Sequence, residues 1–161
     1  MSYPLPGYRF AVSLDPVDAY VAAAVAAPPV VVAGAFSDVS GLSGELEVLA
    51  HPEGGHNGFV HQLPVRFSWG RITLKKGVLP DRSLWDWFAA GLTGSLGARR
   101  DGSILLMDPD NQLALTWVFR AGLAAKWIGP SLAAGQSAAA IEALEIVHQG
   151  LEQIVNAGGT A

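Results

Sequence analysis

Residues 53–88, EGGHNGFVHQLPVRFSWGRITLKKGVLPDRSLWDWF, hold a turn, two strand-like runs and a helix start, and the rest of the chain is read from them. The turn is Glu53-Gly54-Gly55-His56-Asn57-Gly58, where the glycines and Asn57 accept positive φ at little steric cost and reverse the chain tightly. Before it, Leu46, Val48 and Ala50 alternate with Glu45 and Glu47; after it, Phe59 and Val60 run into His61, Gln62 and Leu63. This half-polar alternation predicts a long hairpin with one solvated face. Two strands cannot bury themselves alone, so Leu46, Val48, Phe59 and Val60 are expected to gain cover from neighbours.

Beyond the hairpin, Phe67 and Trp69 point one way and Ile72 and Leu74 the other. The change of parity around Gly70 predicts a bulge, or a strand covered on both faces. Pro80-Asp81 opens a helix in which Leu84, Phe88 and Leu92 share one stripe with Trp85 beside it, closed by Gly91 and Gly94. Leu84, Trp85 and Phe88 are therefore expected in the core. Upstream, residues 8–14 alternate as a half-buried strand, and Asp15-Pro16 carries a helix-start signal for a short helix over residues 17–27, ended by Pro28-Pro29. The uncharged run 19–36 is interrupted by those prolines and is rich in Ala, so it reads as a connection feeding a buried strand, Val30-Val31-Val32-Ala33, and not as a membrane span. Downstream, residues 103–107 and the alternating run from Leu113 to Phe119 flank an Asp108-Pro109-Asp110-Asn111 turn, which predicts a second hairpin. At the end, Ile141, Leu144, His148, Leu151 and Val155 have helical spacing.

The chain has 161 residues, suited to one domain over 1–161 with a single core. Half of it is apolar and only 15% is charged. Either the composition is biased towards alanine, or part of the surface is buried between subunits. The net charge of −4 and the scattered Lys and Arg give no footprint for a phosphate backbone, so no nucleic acid is expected. With no cysteine, disulfides and thiolate metal sites are excluded, and the first residues lack the basic and apolar regions of a secretory signal.

Five pieces of this sequence stand in the order and spacing of a known family. They are Phe36-Ser37-Asp38-Val39-Ser40-Gly41-Leu42, Glu53-Gly54-Gly55-His56-Asn57, His61-Gln62-Leu63-Pro64, Ile72-Thr73-Leu74-Lys75-Lys76-Gly77 and Leu84-Trp85-Asp86-Trp87. Together they resemble the tail-tube family of contractile phages and contractile injection systems, as do Lys126-Trp127-Ile128-Gly129-Pro130 and residues 140–148. The resemblance implies a mainly β fold with one packed α-helix, a small antiparallel β-barrel or sandwich. It implies a structural subunit, not an enzyme, that forms stacked hexameric rings around a lumen, as the repeating tube subunit or as a tube-initiating ring. Its partners would be itself and the sheath and baseplate proteins of a phage tail-like particle, assembled in the cytoplasm and then released or membrane-docked, without membrane insertion. Leu46, Val48, Glu53, Gly54, Gly55, Asn57, Phe59, Val60 and Leu63 would form the inter-subunit hairpin. The resemblance also makes residues 139–148 a closing strand, with any helix only after it, and this is the expected reading over the helical spacing, because Gly150 interrupts the helical pattern and a barrel needs a closing strand. Two departures stand out: Val65, where the family has Gly after Pro, and an Ala/Pro-rich insertion at about residues 15–30.

Chemistry is sparse. His51, Glu53, His56 and His61 gather around the turn, but their spacing matches no metal-ligand signature, and polar surface is the ordinary reading, so no metal and no cofactor are expected. No Gly-x-Ser-x-Gly elbow accompanies Ser37, Ser40 and Ser43, and Gly54-Gly55 precedes a strand where a phosphate cradle precedes a helix. The competing reading is a monomeric barrel binding a ligand through Trp85, Trp87, Trp117 and Trp127, although these fall on core-facing patterns.

Overall fold

The computed structural model describes residues 5, 7, 9–14, 30–32, 36–55, 57–80, 82–93 and 99–156. The strands are β1 (Phe10–Leu14), β2 (Val30–Val32), β3 (Phe36–Ser40), β4 (Gly44–His51), β5 (His61–Trp69) and β6 (Ile72–Gly77), followed after the helix α1 (Ser83–Leu92) by β7 (Arg100–Met107), β8 (Leu113–Ile128), β9 (Ile141–Val147) and β10 (Gly150–Val155). All pairings among them are antiparallel. The mainly β architecture with one packed helix is the expected one.

One sheet runs in the order β2-β1-β7-β8-β9-β6-β3, with β10 added to β8; β4 and β5 form a separate pair. The 16-residue β8 is the spine. Its first part pairs with β7 on one edge and β10 on the other, and its last part pairs with β9. The pairs Arg120–Gly150 and Leu123–Val147 keep a single register, so β9 and β10 lie end to end along one edge of β8. Both bend at the same level, at Ala121 and His148-Gln149. Ala121 has φ 50, an uncommon conformation for a residue with a side chain. Hydrogen bonds hold it there: its N–H donates to Asp101 Oδ1 at 2.7 Å, and its carbonyl accepts from Arg99 Nη1 at 3.0 Å.

The core is Val12, Leu14, Ile72, Leu74, Leu84, Trp87, Ile104, Phe119, Leu144 and Ile146, contributed by both parts of the sheet and by α1. β1 is buried along Ala11–Leu14 and not half-buried as its alternation predicts; Ala11 and Ser13 are small enough for a covered second face. The helix differs from expectation in three places. It begins at Ser83, with Arg82 as a cap that makes no side-chain cap hydrogen bond. Gly91 lies inside it, and it ends at Leu92, with Thr93 as the cap whose Oγ1 donates to Ala90 O. The face it buries is Leu84 and Trp87, with Trp87 at 1% exposure and Phe88 half-buried against the core. Trp85, expected in the core, is 37% exposed and meets Trp127 edge-on at 4.9 Å; Leu92 is also exposed. A sheet covers only a narrow stripe of a helix, and here that stripe runs through i, i+3.

The C-terminal helical spacing is overridden. Residues 141–147 and 150–155 are both strands, because β8 offers an open edge along their whole length. Under the helix N-terminus, the buried Lys76 ammonium lies 3.5 Å from Glu142 Oε1 and 3.4 Å from Ser83 Oγ, and Trp127 Nε1 donates to Glu142 Oε2 at 3.1 Å. This cluster ties β6, β8, β9 and α1 together. The helix expected over residues 17–27, and residues 15–29 of the expected insertion, lie outside the described residues. Among those described, no helix is long and apolar enough to cross a membrane.

Candidate assembly interface

The hairpin β4–β5 extends two core strands. The pairs Val39–Leu74 and Ser40–Thr73 of β3–β6 continue in the same register into Gly44–Trp69 and Glu45–Ser68, bridged by Gly70 N donating to Ser43 O at 2.9 Å. The parity change around Gly70 is thus the joint between core sheet and hairpin, where the ladder bends away. It is neither a bulge nor a doubly covered strand. Gly41 makes the bend: its φ is +83, and a Cβ there would stand 1.8 Å from Arg71 O. Arg71 Nη1 reaches Glu145 Oε2 at 3.5 Å and ties the joint to β9.

Further out, the register slips between Glu47 and Val48, leaving Val65 as the extra residue of a bulge on β5. The expected Pro-Val departure falls at this bulge, and Pro64 is tolerated because each strand of the ribbon has an edge unpaired among the described residues. At the turn, Gly55 takes φ +86. Glu53 Oε2 lies 2.8 Å from His61 Nε2, and Phe59 meets the His61 ring edge-on at 5.0 Å. Gly54 and Asn57 are exposed around them, and His56 lies outside the described residues. Among the described residues no three His, Cys, Asp or Glu side chains gather as a metal site.

Every residue of β4 is exposed, as is all of β5 after His61. The expected single solvated face is corrected: in one chain both faces are open. Strand alternation puts Leu46, Val48, Phe67 and Trp69 on one face, and Glu45, Glu47, Arg66 and Ser68 on the other. Glu47 Oε2 lies 3.7 Å from Arg66 Nε on the polar face. Leu46, Val48, Phe59, Val60 and Leu63 are all exposed, as are Leu49, Val65, Phe67 and Trp69, which sequence reasoning did not assign to the interface. Phe67 is 75% exposed, and its alternation with Trp69 was the available signal.

His148 stands at the joint of the hairpin with the core. Its Nε2 is 3.1 Å from Gly70 O and its Nδ1 is 3.1 Å from Gly150 O. The ring lies tilted against Trp69 at 5.9 Å and Phe119 at 6.3 Å. Sequence reasoning placed His148 in a helical stripe and in the run 140–148, not at this joint; a lone His two residues before Gly150 was the trace of this role.

An apolar ribbon whose two edges are unpaired among the described residues is a poor free surface and a ready template for pairing with another chain. The family model of the T4-like virus tail tube protein gp19 matches residues 6–152. The chain belongs to that family. Membership of the tail tube family accounts for the fold and leaves the ligand-binding barrel without support. A comparison with curated proteins finds no match. Among solved structures, this tail tube family member is similar to a chain in the six-fold symmetrised baseplate of the anti-feeding prophage, at 28% identity and TM-score 0.81, over 96% of this chain and 98% of that one. It shares its fold with a chain of the PVC extracellular contractile injection system sheath-tube complex in the extended state, at 23% identity and TM-score 0.78, over 97% and 95%. It also shares it with a chain of the anti-feeding prophage tube-terminating cap, at 20% identity and TM-score 0.78, over 97% and 94%.

Proposed function

We propose that this tail tube protein closes into a six-membered ring around a lumen, and that the ring is the one that starts the tube at the baseplate of a contractile, phage tail-like particle. The observation that carries the ring is the β4–β5 ribbon, lined near the core by apolar residues on one face, paired on neither outer edge among the described residues and joined to the core sheet in unbroken register. Copies that lay this ribbon against one another cover the apolar face and satisfy the open backbone groups, and closure removes the last edge. The baseplate position is favoured by the similarity to the anti-feeding prophage baseplate chain, at 28% identity. The chain is a single structural domain over residues 1–161, without catalysis, cofactor, nucleic-acid recognition or membrane insertion. Its partners in the particle are baseplate and sheath proteins, and it is assembled in the cytoplasm before the particle is released or docked at a membrane.

The second reading, a subunit repeated along the tube, is favoured by the shared fold with the chain of the sheath-tube complex. Cryo-electron microscopy of the intact particle separates the two. One or two rings of this chain per particle are expected; rings along the whole tail overturn the initiator and support the repeating subunit.

A further inference from the structure

We propose that His148 is a proton-dependent clamp that sets how the β4–β5 hairpin stands on the core. The ring lies where two bent ladders meet, with Nε2 3.1 Å from the carbonyl oxygen of Gly70 at the β5–β6 joint and Nδ1 3.1 Å from that of Gly150 at the start of β10. Both partners are backbone carbonyls, which only accept. A neutral imidazole has one N–H, so one of its nitrogens would turn a lone pair towards an oxygen; the ring with both protons donates to both. Trp69 and Phe119 pack against the ring and hold its plane, so it does not swing away to avoid that clash. The neighbouring charged groups are Arg71 beside Gly70, Glu145 on β9, Arg120 beside Phe119, Asp101 on β7 and Glu152 on β10. The first four are joined as the Arg71–Glu145 pair at 3.5 Å and the Arg120–Asp101 pair at 3.4 Å, and the ring's own hydrogen-bond partners are the two carbonyls.

With both protons the ring pins the hairpin joint to the β9–β10 corner; with one, a contact is lost and the joint loosens. Hairpin seating therefore weakens as pH rises. The proposal extends the assembly reading, since a ribbon that swings freely pairs less well with a neighbour, but the clamp is tested apart from assembly. The full-length chain carrying ¹⁵N-labelled histidine is followed by NMR, with H148Q used to assign the resonance. Hydrogen exchange at the amides of residues 66–72 is measured from about pH 5 to 8, the interval in which imidazoles titrate, after correction for intrinsic rates. Two protonated nitrogens are expected on His148 at the acid end, with joint protection falling about tenfold as one proton leaves. In H148Q protection should be low and flat with pH. A single neutral tautomer throughout, with constant protection, overturns the clamp, and so does an H148Q joint that keeps the wild-type pH profile. Ring yield is scored in the same samples: rings absent at every pH while the joint profile persists overturn the assembly reading and leave the clamp standing.

Discussion

Trp85 and Trp87 stand two positions apart on one helix and do different work. Trp87 is enclosed by the core, so Trp87→Ala is expected to cost about 3–5 kcal/mol in urea unfolding. Trp85 keeps a third of its surface in water and leans on Trp127, so Trp85→Ala should cost about 1 kcal/mol. Equal losses for the two would show that the helix buries a different face. Phe88 is half-buried, which places Phe88→Ala between them. The Lys76–Glu142 pair gives a sharper contrast. Glu142→Leu takes one carboxylate from beside the enclosed ammonium and should destabilise by up to about 3–5 kcal/mol, whereas the double variant K76M/E142L should recover most of that. A double variant as unstable as the single one would mean that the Ser83 and Trp127 contacts, not the charge balance, hold the cluster.

The hairpin and its joint set the behaviour of the elements. Val48→Asp or Phe59→Asp puts a charge on the ribbon without touching the core, so light scattering should find a folded monomer in place of the ring proposed for the native chain. Rings of normal size from either variant would remove the ribbon from the interface. Gly41→Ala forces a side chain into positive φ against Arg71 O, and a loss of at least about 1–3 kcal/mol is expected, with the exchange of β4 and β5 amides raised. Much of this was legible before any coordinates. The alternation Glu45-Leu46-Glu47-Val48 and the glycine turn are local signals that need no partner to be read. The joint was not legible, because a parity change at Gly70 looks alike for a bulge, a doubly covered strand and a bend. Only the unbroken register across Ser43–Gly70 distinguishes them. Nor was β10: Leu151 and Val155 have helical spacing and good helix formers around them, and it takes the free edge of β8 to override that preference. The helix stripe was misplaced for the same reason, since which of Trp85 and Trp87 is covered depends on where β8 lies.

At the scale of the whole molecule, the proposed ring needs one rim for the tube and another for a different partner. The Ala/Pro-rich segment, residues 17–29, lies within the stretch that the resemblance marks as an insertion and is proposed to serve one of those rims. Deleting it should leave six-membered rings intact and abolish attachment to the baseplate; if it shortens or abolishes tubes instead, the segment serves stacking. The unbroken register from β3–β6 into β4–β5 also has a mechanical meaning. A pull along the hairpin runs down β5 into β6, which is laced on one side to β3 and on the other to β9. The rungs of those ladders lie across the pull. They are loaded in shear and share the force together, where a sideways pull would unzip them one by one. The bend at Gly41 and Gly70 is the compliant point of that path, so a tug on the ribbon should swing it long before it tears the sheet.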